Sequence, residues 1–73
     1  MEERILSVLC SSLGLDKADT TISQANCDNW NSLRHLNLIV DLEAEFNVEF
    51  EPEEIAAMKN YESIRQMIEK KLS

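Results

Sequence analysis

One glycine, one proline, two cysteines and a single histidine are all that these 73 residues hold of the types that most often punctuate a chain or bind a metal. With so little glycine and proline, helices run uninterrupted. The β-branched residues never alternate with polar ones over the length of a strand, so an all-α domain is expected. A zinc site needs about four ligands; two cysteines without CxxC spacing and no second histidine do not make one, and no metal is expected. Asp16 and Asp19 stand in a loop, but the glycine and closing glutamate of a calcium loop are missing. No apolar run is long enough for a membrane span, and Met1-Glu2-Glu3-Arg4 lacks the basic start of a signal peptide. The expected setting is the cytoplasm, with Cys10 and Cys27 as reduced thiols. Basic residues are scarce as well, seven against fourteen acidic, for a net charge of −7. Such a surface repels nucleic acid and anionic membrane and steers basic partners toward it.

What is present reads as one domain over residues 1–73, a small four-helix bundle of three longer helices and one short third helix, with a long first loop. The first helix covers about residues 2–13, with Ile5, Leu6, Leu9 and Leu13 on one face, Val8 at its edge and Gly14 as the left-handed residue after its end. Residues 15–31 are polar and rich in turn formers, and lack helical periodicity. Leu15, Ile22 and Trp30 are the side chains expected to pin that loop to the helices. A helix over about 32–46 follows, then an extended link, Asn47-Val48-Glu49-Phe50. Pro52 opens a short helix over about 52–58, with Ile55 and Met58 turned inward. Asn60 caps a last helix over about 61–72, whose stripe is Tyr61, Ile64, Ile68 and Leu72.

The second helix carries more apolar surface than folding requires. At roughly 100° per residue, His35, Leu38, Ile39, Leu42 and Phe46 share one arc. Leu33, Leu36, Val40 and Ala44 share another, set off by Ser32 and Glu43. A small domain needs one buried stripe, so the helix is either wrapped on two sides or keeps an arc for a ligand or partner. Ser32 stands where an N-cap or first-turn residue belongs, so it either caps the helix or presents its hydroxyl at the positive end of the helix dipole, where phosphate groups are favoured.

Asn31-Ser32-Leu33 resembles the Asp-Ser-Leu motif of acyl carrier proteins. Downstream, Leu42-Glu43-Ala44-Glu45-Phe46 is similar to that family's Leu-Glu-x-Glu-Phe segment, followed as there by an extended link and a short third helix. The resemblance spans essentially the whole chain. It implies an acyl-carrier-like bundle whose Ser32 carries a 4′-phosphopantetheine arm, added from coenzyme A by a phosphopantetheinyl transferase. The thiol of that arm holds an acyl or aminoacyl group as a thioester for loading enzymes and downstream synthases with basic docking patches. The arm raises the local concentration of cargo at each docked partner.

On this resemblance Asn31, Leu33, Leu36 and Val40 lie on the docking side of the helix, and Asp41, Glu43 and Glu45 supply acidic contacts. The chain is then a carrier and not an enzyme, and a monomer. Asn31 departs from the family's aspartate and removes a charge beside the serine, but it keeps that residue's shape and hydrogen bonding, so modification is expected to survive. The cargo lies either against the second helix or between helices two, three and four. Two alternatives stay open: an aminoacyl or peptidyl carrier, and an unmodified helical module that uses the second arc to bind proteins. A serine–histidine hydrolase is the weakest reading, because His35 falls on the core arc and no acid or oxyanion donors accompany it.

Overall fold

A computed structural model describes residues 2–72. Helix α1, Glu2–Leu13, stops because Gly14 turns left-handed at φ 68°. The Leu15 N–H then reaches back to the Cys10 carbonyl at 2.9 Å, closing the helix end in a Schellman motif. A Cβ at position 14 would also come within 2.9 Å of the Arg34 guanidinium, so backbone and packing both favour glycine there. Helix α2, Ser32–Phe46, ends in the same way on Asn47, at φ 55°, with the N–H groups of Asn47 and Val48 both returning to the Glu43 carbonyl.

Helix α3 spans Pro52–Ala57, one residue less than the sequence suggests. Met58 leaves helical geometry at ψ 71° and drops its side chain, with no exposed surface, into the core. Helix α4, Tyr61–Leu72, starts on the expected cap, the Asn60 side chain accepting the Ser63 N–H at 2.7 Å. Its apolar stripe ends at Ile68. Leu72 is 49% exposed, against expectation, because the last turn is held instead by Lys71. That ammonium pairs with Glu54 at 2.7 Å and sits 5.9 Å from the centre of the Phe50 ring.

The core is built from Ile5, Leu9 and Leu13 of α1, Leu38 and Leu42 of α2, and Ile64 and Ile68 of α4, with Met58 beneath α3. Each of these side chains is fully buried, and each such burial contributes on the order of 1.5–3 kcal/mol against the entropy of ordering the chain. Among the described residues there is no strand.

The first loop is more ordered than its composition suggests. It contains one 3-10 turn at Gln24–Asn26. An antiparallel bridge joins Ser23 to Asn60, with Gln24 N–H on the Lys59 carbonyl at 2.9 Å and Tyr61 N–H on the Ile22 carbonyl at 3.0 Å. The Asn26 amide accepts from the Ser23 N–H and donates to the Thr21 carbonyl. Ile22 and Trp30 are buried and Leu15 packs against the core, as expected of the three anchors.

Three carboxyls are held below their ordinary range by hydrogen bonds in the folded chain. Asp19 is lowered by the Thr21 hydroxyl and then its N–H, Glu54 by the Glu51 N–H and then Lys71, and Glu62 by Arg65. A depressed folded-state pKa contributes stability above the unfolded value, which is lost as pH falls through the folded one. The thermal midpoint is therefore expected to decline on acidification from about pH 5 to about pH 3. Glu54→Gln should flatten part of that decline in a midpoint-against-pH series. A flat profile for the parent chain would show that these contacts do not hold in solution.

Candidate functional site

The candidate site is the start of α2, and Asn29, Trp30, Asn31, Arg34 and His35 fix it. The Asn29 amide donates to the Leu13 carbonyl at 3.1 Å, and Arg34 Nη1 donates to the same oxygen at 2.6 Å. The last carbonyl of α1 thereby ties down the approach to α2, and the cation satisfies an acceptor left over at a helix end. Trp30, 3% exposed, donates from Nε1 to His35 Nδ1 at 2.9 Å. An indole can only donate, so Nδ1 accepts and the imidazole proton lies on Nε2, which meets the Ile55 carbonyl at 2.8 Å. His35 is thus the packed, hydrogen-bonded residue its arc suggests, and both its nitrogens are engaged away from Ser32.

Asn31, not Ser32, caps the helix: its Oδ1 accepts the Arg34 N–H at 2.9 Å. Ser32 is the first helical residue, exposed, and among the described residues its hydroxyl has no hydrogen-bond partner. The commonest structural reason for a serine at a helix start is absent here. What remains is a hydroxyl at the positive end of a 15-residue helix. Asn31→Ala is expected to destabilise the chain by about 1 kcal/mol, while Ser32→Ala stays within about 0.5 kcal/mol of the parent. Paired denaturant titrations would check both, and a loss at Ser32 as large as at Asn31 would give the cap to serine.

The second arc lies outside the core. Leu33, Leu36 and Val40 are 70%, 57% and 62% exposed, along the face of α2 that Ser32 borders. The acidic residues singled out for docking are engaged within the bundle. Asp41 accepts from the Ser12 hydroxyl, Glu43 accepts the Phe50 N–H at 2.9 Å, and Glu45 pairs with Arg4 Nε at 2.9 Å. Arg4 also donates to the Glu45 carbonyl and lies 4.5 Å from the centre of the Phe46 ring. These contacts brace α2 against α1 and the following link. Asp41 and Glu45 remain exposed, whereas Glu43 is half-buried. The surface beside Ser32 is therefore more apolar, and less freely anionic, than the net charge suggests.

The brace by Asn29 and Arg34 on Leu13 was not singled out from the sequence. Its signal is the glycine at position 14, just before which the last carbonyl of α1 needs a donor. Among the described residues no group of histidine, cysteine and carboxylate side chains could hold a metal, and no helix is long and apolar enough to cross a membrane. Cys10 and Cys27 are free thiols, both half-buried. A scan against protein-family models finds no match for this chain, and a search of curated proteins finds none either.

Proposed function

We propose that this chain acts as an acyl carrier, bearing a 4′-phosphopantetheine arm on Ser32 and presenting acyl or aminoacyl thioesters to partner enzymes. The observation that carries the reading is the division of labour at the start of α2. Asn31 caps the helix, and the exposed Ser32 hydroxyl is left without an internal role. Attachment converts that hydroxyl into a phosphate ester, its proton leaving as the nucleotide portion of coenzyme A departs. The phosphate then sits at the helix N-terminus, where the dipole and unpaired N–H groups favour negative charge. The rigid brace of Trp30, His35 and Arg34 holds the attachment point still while the arm moves. Partners would meet Leu33, Leu36 and Val40 next to it, with Asp41 and Glu45 at the rim.

The test is intact mass after incubation with coenzyme A and a broad-specificity phosphopantetheinyl transferase, beside Ser32→Ala. The expected result is the gain of one phosphopantetheine by the parent chain and none by the variant. No gain with several transferases, and none after Asn31→Asp restores the family's charge, would sink the carrier reading. The exposed arc would then stand as the binding face of an unmodified protein-interaction module. If loading succeeds, separate incubations with acyl-transferring and aminoacyl-adenylating enzymes would decide the kind of cargo.

A further inference from the structure

A group attached to Ser32 has two directions open to it: outward over the exposed arc of α2, or down between α2 and α3 into the core. The second path begins at His35. That residue lies about 4.5 Å further along the helix axis than Ser32 and roughly 60° round it. Its Nε2 reaches across the seam to the Ile55 carbonyl of α3, and its Nδ1 accepts from the Trp30 indole, in the loop just ahead of α2. The indole and imidazole rings lie edge to edge, their centres 6.1 Å apart and their planes within 26°. Behind this bridge Leu38, Met58 and Ile64 have no exposed surface. A cleft of about 390 Å³ does open beside α2, but on its α1 side, along Ser7, Ser11 and Asp41.

We infer that the seam between α2 and α3 is closed to whatever Ser32 carries, and that the His35 bridge closes it. Cargo then stays in water outside the bundle. This favours small or polar acyl and aminoacyl groups over long aliphatic chains, whose apolar surface would gain no shelter from the carrier. The choice of cargo rests on the carrier reading. The closed seam does not, and the experiment keeps the two apart.

Ser32→Cys, in a Cys10→Ala/Cys27→Ala background, is labelled with methyl or octyl methanethiosulfonate. The cysteine thiolate attacks the reagent's sulfenyl sulfur and displaces methanesulfinate, leaving a mixed disulfide, so no transferase is needed. The expected result is a thermal midpoint that is the same for both labels within about 1 °C, with unshifted backbone amides at Met58, Ile64 and Ile68 by NMR. His35→Ala in that background should raise the octyl midpoint above the methyl one by roughly 5–10 °C, because methylenes can now be buried. A merely structural histidine would lower both midpoints alike and produce no dependence on chain length. If His35→Ala does not fold, His35→Gln, which keeps a donor and removes the ring, carries the same comparison. Octyl-dependent stabilisation with shifted core amides in the parent background would overturn the closed seam. Equal midpoints and unshifted amides in the folded His35 variant would overturn His35 as the residue that closes it. Failure of Ser32 to accept the arm from coenzyme A would overturn the carrier reading and leave the closed seam standing.

Discussion

Trp30→Ala is expected to leave the chain unfolded or barely folded at neutral pH, although residue 30 lies in no helix and was recruited from a polar loop. A domain of this size is stable by roughly 4–11 kcal/mol. Truncating a buried tryptophan removes about 3–5 kcal/mol through lost burial and the cavity left behind. Here the loss does not stop at packing. The indole N–H is the donor that His35 Nδ1 accepts from, and His35 in turn holds the Ile55 carbonyl of α3. Removing the indole leaves a half-buried acceptor without its partner, at a further cost of about 1–3 kcal/mol. Trp30→Phe separates the two contributions, since it keeps most of the apolar burial and deletes only the donor. The expected order of stability is parent, then Trp30→Phe, then Trp30→Ala. Chemical denaturation read by far-UV circular dichroism would give it, and a Trp30→Ala chain as stable as Trp30→Phe would mean that the ring fills no essential space.

That bridge also marks where reading the sequence stops. Elements set by periodicity and punctuation were legible: α1, α2 and α4 fall within a residue of expectation, because Gly14, Asn60 and the run from Leu38 to Phe46 each signal locally. Helix α3 also falls within a residue of expectation, and Met58 is turned inward as expected, though it caps the helix instead of continuing it. Leu72 was misplaced. Periodicity says which face a residue shares, not how far along the helix the core extends. The contacts out of reach were those between residues distant in sequence, such as Arg4 with Glu45, Ser12 with Asp41 and Arg34 with the Leu13 carbonyl. Each depends on how α1 lies across α2, which no single stretch encodes. The same limit applies to the site. Ser32 and the exposed arc are legible in the motif and the helical periodicity, but the cap on Asn31 and the bracing by the acidic residues follow only from how the backbone and the helices are placed.

The two arcs of α2 should respond oppositely to the same kind of change. Leu42→Ala is expected to cost about 2–5 kcal/mol, because the side chain has no exposed surface and packs in the middle of the core. On the same helix, Leu36→Ala should stay within about 0.5 kcal/mol of the parent. A charge sharpens the contrast. Leu33→Glu places an anion in the first turn, where the dipole favours it, so the fold should hold or gain slightly. The carrier reading expects the same variant to suffer at the docking step, where an apolar contact next to Ser32 is lost and a carboxylate is put in its place. An exposed leucine that becomes buried against a partner contributes on the order of 1.5–3 kcal/mol, so the rate of arm transfer to Leu33→Glu should drop roughly 10–100-fold with no change in thermal midpoint. Two readouts on one variant therefore divide the outcomes. A fallen midpoint would put Leu33 in the core and dissolve the second arc. An unchanged midpoint with an unchanged transfer rate would leave the arc exposed but move docking elsewhere on the surface. Only a slowed transfer on an intact fold fits a helix that keeps one face for the bundle and the other for the enzymes that visit Ser32.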